Sequence, residues 1–201
     1  MTWLQEPYKQ VSIYLELTRH IECRAPRPWK SILPPQLMVS VGDMAPDFEL
    51  MAFDKNMVRL SDSIGNRVVL LFYPAAFTGV CTKEMCTVSD SMNRMEAAEA
   101  EVFGISVDGI FANAAFADAN EINFPLLSDT NRQATRAYGV EIPFVMPEYT
   151  ASQRSVFVID EAGKISYAWV AENPGIEPDY EAILEHLESW KSIAVGEVVH
   201  Q

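Results

Sequence analysis

FYPAAFTGVCTKEMC, residues 72–86, holds the sharpest change of pattern in the chain. Ahead of it, residues 67–73 (RVVLLFY) form a continuous apolar run, as a strand buried on both faces requires. Pro74 stops that strand. Behind it, Met85, Val88, Met92 and Met95 recur at spacings of three and four, which predicts a helix over about 80–98. Cys81 therefore falls in the first turn of that helix, beyond the carboxyl end of a buried strand, where open α/β sheets bind ligands. A cysteine there faces unpaired backbone N–H groups and the positive end of the helix dipole. Both favour thiolate over thiol, and the thiolate is the nucleophile. Thr78, three residues earlier, can place a hydroxyl beside the sulfur and hydrogen-bond a bound oxygen. Pro74 has no N–H to donate, and its ring can screen a thiolate from bulk water. A plainer reading fits the same residues: Cys81 packs as a small hydrophobe at a strand–helix junction.

Working outward, strand and helix patterns alternate. Residues 101–107 (EVFGISV) predict a second buried strand and 111–119 a helix. Residues 124–127 are extended, 131–138 helical, and Gly139 is a plausible stop. Residues 155–159 and 164–170 form a hairpin around Asp160-Glu161-Ala162-Gly163. A last helix over 178–191 begins with Pro178 in its first turn and carries Tyr180, Ile183, Leu184, Leu187 and Trp190 on one stripe. Residues 143–149 (PFVMPEY) read as an apolar loop, of the kind that covers a site or meets a partner. The order β-α-β-α-β-β-α describes an α/β sandwich of three layers around a central mixed sheet, compatible with a thioredoxin-like topology. Residues 38–192 are expected to form that domain. Residues 1–37, punctuated by five prolines, read as an N-terminal extension, and 193–201 as a tail.

Composition narrows the function classes. The net charge of −13 is uneven: residues 1–40 carry +2 and residues 41–201 carry −15. So acidic a body repels phosphate backbones, and nucleic acid is not an expected partner. No apolar run approaches the ~18 residues of a membrane span, and the N-terminus lacks the pattern of a secretory signal. Three cysteines (Cys23, Cys81, Cys86) are too few for a disulfide-built secreted fold, which favours a reducing, cytoplasmic setting. No His/Cys cluster has zinc spacing and there is no glycine-rich phosphate loop. Of the three histidines, His20 and His200 lie in the extension and tail, and His186 is expected to face solvent. A cysteine–histidine hydrolase is therefore disfavoured.

PAAFTGVC, residues 74–81, matches the pattern P-x-x-x-T/S-x-x-C of the peroxiredoxin active site, and FYPAAFTGVCTKE resembles that family's strand–loop–helix signature. VGDMAPDFEL (41–50) resembles its opening segment, and RSVFVIDEAGKISY (154–167) its late arginine-bearing strand and hairpin. The resemblance spans about residues 40–190. It implies a thioredoxin fold and a thiol peroxidase that reduces hydrogen peroxide and organic hydroperoxides without a cofactor. Cys81 would be the peroxidatic cysteine, with Pro74, Thr78 and Arg154 completing the site and thioredoxin or another thiol as reductant. Read without the resemblance, Arg154 is an ordinary surface arginine opening a strand. The resemblance brings its guanidinium against the sulfur, where a permanent cation favours thiolate and orients peroxide. Glu84 matches a supporting acid that holds the arginine, though a first-turn helix acid facing the dipole is an equally good account. Peroxiredoxins commonly pair across the active-site end, which makes a homodimer through 143–149 and Phe77 an expectation.

Cys86 lies on the polar face of the predicted helix. C-x4-C resembles the bacterioferritin-comigratory, or Q-type, peroxiredoxins, in which the second cysteine resolves the first within one chain. In an intact helix residues five apart are ~8.6 Å apart at Cα, beyond the ~7 Å a disulfide tolerates, so resolution requires unwinding. FTGVCTKE also resembles one-cysteine peroxiredoxins, which use an outside thiol. No cysteine follows Cys86, so a C-terminal resolving cysteine is not expected, and Cys23 reads as incidental. Two other functions stay open at this point. A thioredoxin-type disulfide oxidoreductase is disfavoured by C-x4-C in place of C-x-x-C, and a non-enzymatic redox sensor or holdase shares the fold.

Overall fold

The computed structural model describes residues 38–196, with side chains through Ser189. The extension, the tail beyond 196, Cys23, His20, His200 and the side chain of Trp190 lie outside the described residues. The chain runs β1 (Glu49–Ala52), β2 (Met57–Arg59), a 3-10 turn (Leu60–Ser63), β3 (Arg67–Phe72), α1 (Gly79–Asp90), α2 (Met92–Ala97), β4 (Ala100–Ser106) and α3 (Ile110–Ala119). It continues through β5 (Leu126–Ser128), α4 (Gln133–Ala137), β6 (Glu141–Phe144), β7 (Met146–Ser152), β8 (Ser155–Ile159), β9 (Ile165–Val170) and α5 (Tyr180–Gly196).

Seven strands form one mixed sheet in the order β2-β1-β5-β4-β3-β8-β9, with β3, β4 and β5 parallel and the others antiparallel. All six residues of β3 are buried, which explains its unbroken apolar run. Alternation then decides which face each residue serves. Val69, Leu71 and Tyr73 join Met85, Val88, Met92, Met95, Phe116, Ile183, Leu184 and Leu187 in one core, under α1, α2, α3 and α5. Val68, Leu70 and Phe72 join Phe48, Leu50, Tyr138, Val140, Phe157 and Ile159 in a second core on the other face. Each fully buried side chain of this size contributes roughly 1.5–3 kcal/mol, so β3 anchors both layers and the loop that follows it starts from a rigid point. Among the described residues no helix is long and apolar enough to cross a membrane.

The structure departs from the sequence reading at several elements. The helix expected over 80–98 divides at Ser91 into α1 and α2. Thr87 Oγ1 donates to the Lys83 carbonyl at 2.8 Å and Ser91 Oγ to the Thr87 carbonyl at 2.9 Å, and such back-bonding bends helices. Residues 143–149 are not a loop but most of a hairpin, β6–β7, standing outside the main sheet. Pro143 and Pro147 hide its strand pattern, and Val145 turns it at φ 65°. The last helix begins at Tyr180 because Asp179 caps it, its Oδ1 accepting from Ala182 N–H at 3.1 Å. The short hairpin β1–β2, paired to β5, adds an edge. Gly139 at φ 71° ends α4 as its sequence implies.

Candidate active site

Strand register assembles the site from segments far apart in sequence. Phe72 at the end of β3 pairs antiparallel with Ser155 at the start of β8, so Arg154 arrives where the chain leaves the sheet at Tyr73 and Pro74. The loop from 74 to 78 turns back through Phe77 at φ 60°, and extended Thr78 (φ −88°, ψ 145°) caps α1. The first bond of α1 runs from Thr82 N–H to the Thr78 carbonyl, which leaves the amides of Gly79, Val80 and Cys81 at the open end of the helix.

Cys81, Pro74, Thr78 and Arg154 line one cavity of about 220 Å³, closed further by Gly79, Val80, Phe144, Pro174 and Gly175. Cys81 and Arg154 are each 1% exposed and Glu84 is 0% exposed, so this is a buried floor beneath an open mouth. Arg154 Nη2 donates to Cys81 Sγ at 3.3 Å. The rest of the guanidinium is held in place: Nη1 donates to Glu84 Oε2, while Nε and Nη2 donate to the Pro174 carbonyl at 3.2 and 3.0 Å. Thr78 Oγ1 donates to the Ala75 carbonyl at 2.9 Å. Glu84 Oε1 is buried without a hydrogen-bond partner.

The electrostatics follow from burial. Desolvation works against the Arg154 charge, but Glu84 and Cys81 together outweigh it, and the guanidinium holds its proton more tightly than usual. Burial pushes the Glu84 carboxyl up to about 8, with Arg154 pulling the other way. A cation fixed against a sulfur where both groups are buried acts at lower effective dielectric, where it counts for more than in water.

Glu84 thus lies under Arg154 rather than on the surface of the first turn. Cys86 is not at the cavity. It lies half-buried further along α1, its Sγ 3.8 Å from the Asn120 carbonyl, because the end of α3 covers what the helix pattern marks as a solvated face. His186 is also half-buried, not solvent-facing: it bonds Ser166 Oγ at 3.0 Å and its ring packs on Tyr167. Sequence reasoning does not find the Pro174 carbonyl, which has no residue signature, or the clasp in which Glu177 joins Lys83 of α1 at 2.6 Å. Phe144 belongs to the apolar segment 143–149 that the sequence marks as covering a site or meeting a partner, though it stands on β6 rather than in a loop.

The AhpC/TSA family model matches residues 41–168. A putative peroxiredoxin of Mycobacterium tuberculosis is 43% identical over 129 residues, covering 63% of this chain and 82% of the relative. Peroxiredoxin Bcp of Escherichia coli is 38% identical over 133 residues, covering 65% of this chain and 85% of the relative. Among solved structures, peroxidoxin BcpB of M. tuberculosis superposes with a TM-score of 0.68 at 32% identity, over 76% of this chain and 98% of its own. The α/β sandwich with its central mixed sheet is accordingly the thioredoxin fold as peroxiredoxins carry it, and the chain belongs to the AhpC/TSA family of peroxiredoxins, which are thiol-dependent peroxidases.

Proposed function

We propose that Cys81 is the peroxidatic cysteine and that Pro74, Thr78, Arg154 and, through Arg154, Glu84 serve it. The observation that carries this reading is the 3.3 Å approach of Arg154 Nη2 to a cysteine sulfur at the floor of an open cavity. The Cys81 thiolate attacks one oxygen of ROOH, the O–O bond breaks, and the leaving alkoxide takes a proton as ROH. Cys81 is oxidised to sulfenic acid and the peroxide is reduced. Arg154 stabilises thiolate and departing charge, Thr78 holds the peroxide, and Pro74 keeps bulk water from the sulfur.

Cys86 then resolves the intermediate: its thiolate attacks the sulfenic sulfur, a Cys81–Cys86 disulfide forms and hydroxide leaves as water. A dithiol reductant of thioredoxin type restores both thiols. Since both cysteines lie on the intact helix α1, ~8.6 Å apart by helix geometry, its first turns must open. Unwinding begins at a helix end, and β-branched Thr82 and Thr87 ease it. An external thiol acting directly on Cys81 is the alternative. The working domain is residues 38–192, and its chemistry takes place in the reducing cytoplasm. The chain pairs as a homodimer through the hairpin tip, where Val145 and Met146 stand exposed, and Phe77, which is exposed as well. A monomer by light scattering at micromolar concentration, reduced and oxidised, counts against that pairing.

The test is turnover. Cys81→Ser abolishes peroxide consumption with thioredoxin as reductant, while Cys86→Ser spares the first oxidation and loses or keeps turnover according to which thiol resolves. Full activity in Cys81→Ser ends the reading.

A further inference from the structure

The peptide group joining Ala75 to Ala76 is held at both ends. Its carbonyl accepts the Thr78 hydroxyl proton at 2.9 Å, and its N–H donates to Asp108 Oδ2 at 2.8 Å. Asp108 follows β4, whose carboxyl end lies beside that of β3 through the parallel register Phe72↔Ile105. The aspartate is itself fixed. Ser106 Oγ donates to the same carboxylate oxygen at 3.0 Å, and Ser128 Oγ donates to the Asp108 carbonyl at 2.6 Å. Asp108 is not among the residues that line the cavity at Cys81, and it makes no contact with Arg154 or Glu84 in the network described above.

A hydroxyl has one proton to give and two lone pairs to receive with. With its proton committed to the Ala75 carbonyl, Thr78 Oγ1 is left as an acceptor, which suits the O–H of a bound peroxide. A carboxylate on the N–H of a peptide polarises the carbonyl of the same peptide, and successive hydrogen bonds strengthen one another. The loop also needs an outside hold. Phe77 sits at φ 60°, the left-handed region that costs a bulky residue energy and persists only where the surroundings enforce it.

We propose that Asp108 is a positioning residue for the peroxide site: through the Ala75–Ala76 peptide it sets Thr78 as a hydrogen-bond acceptor. The inference rests on the assignment of Cys81 and Thr78 above. It is tested by the second-order rate of Cys81 sulfenic acid formation with hydrogen peroxide, followed by mass spectrometry. The proteins compared are wild type, Asp108→Ala, Asp108→Asn, Thr78→Val and the double variants. Asp108→Ala slows oxidation about tenfold or more, the worth of one charge-assisted hydrogen bond. Asp108→Asn loses less, because an amide oxygen still accepts from Ala76 N–H. In the Thr78→Val background neither Asp108 change slows the reaction further, since residues acting through one another are not additive. A wild-type rate in Asp108→Ala overturns the proposal, as does an equal loss with and without the Thr78 hydroxyl. Should Asp108→Ala fail to fold, Asp108→Asn with and without Thr78→Val makes the same comparison. A wild-type protein that forms no Cys81 sulfenic acid sinks the assignment of Cys81 itself. A wild type that forms it at the same rate as both Asp108 variants removes only Asp108.

Discussion

Two buried carboxylates face arginines in this fold, and their surroundings drive them in opposite directions. Glu84 beneath the cavity meets Arg154 through one oxygen while the other has no hydrogen-bond partner, and burial pushes its carboxyl up to about 8. Glu141 on β6 is also desolvated, but Arg136 Nε and Nη2 donate to its two oxygens at 2.8 and 3.2 Å, and Thr150 Oγ1 donates at 2.7 Å. Those bonds and the charges of Arg136 and Arg132 outweigh burial, and its carboxyl lies below the usual range. The first pair is incompletely satisfied and sits against the Cys81 sulfur. The second is fully bonded and fastens the β6–β7 hairpin to α4. A buried ion pair with an orphaned oxygen is poor evidence for stability. In the proposed mechanism it aims a guanidinium at Cys81.

Arg154 is where the two pairs differ most in consequence. Arg154→Met removes the cation and its donor from the sulfur, and the rate of Cys81 oxidation by peroxide falls about a hundredfold or more, as for loss of one preorganised donor. Arg154→Lys retains charge without the planar fork and recovers only part of the rate. Stopped-flow oxidation kinetics measure both, and an unchanged rate constant removes Arg154 from the chemistry.

Glu84→Gln comes next. Its amide oxygen still accepts from Arg154 but carries no charge, so the guanidinium is held less firmly and oxidation slows about threefold. Its stability profile is the sharper signature. The folded carboxyl titrates at about 8 against an ordinary 4.5, so the folded state binds that proton more tightly. Its contribution is fully present below about 4.5 and is lost as pH rises through about 8. Denaturant unfolding from pH 5 to pH 9 should therefore move in the variant's favour relative to wild type. A flat difference contradicts the burial account.

Glu141→Gln is the smallest and opposite case. Its carboxyl is depressed in the fold, so its contribution is present above the ordinary 4.5 and lost as pH falls through the folded value. The variant loses about 1 kcal/mol near neutral pH, a figure held low because Arg136 is 60% exposed, and the gap closes on acidification. Peroxide kinetics stay at the wild-type rate. A loss of oxidation rate comparable to that of Glu84→Gln erases the distinction between the two pairs.

The contrast also shows what a linear reading can reach. Cys81 and its loop are legible because strand, proline, threonine and helix start are neighbours in the chain, and local pattern carries their geometry. Arg154 is legible only through family resemblance, since its approach to Cys81 depends on the β3–β8 register across seventy-three residues. The Pro174 carbonyl is invisible because a backbone acceptor carries no residue type. Asp108 had a signal that goes unused: an acid at the carboxyl end of β4, beside the strand that delivers the site. The β6–β7 hairpin is obscured because two prolines interrupt its alternation, and among the described residues its strands pair only with each other.

In the proposed reaction the Cys81 sulfur is the atom that peroxide meets first. One equivalent of hydrogen peroxide, followed by trapping of sulfenic acid and peptide mass mapping, tests that directly. The predicted result is a single added oxygen on Cys81, or its Cys81–Cys86 disulfide, with the Cys81 adduct persisting in Cys86→Ser. Oxygen first on Cys86, or no modification of Cys81 while peroxide is consumed, contradicts it.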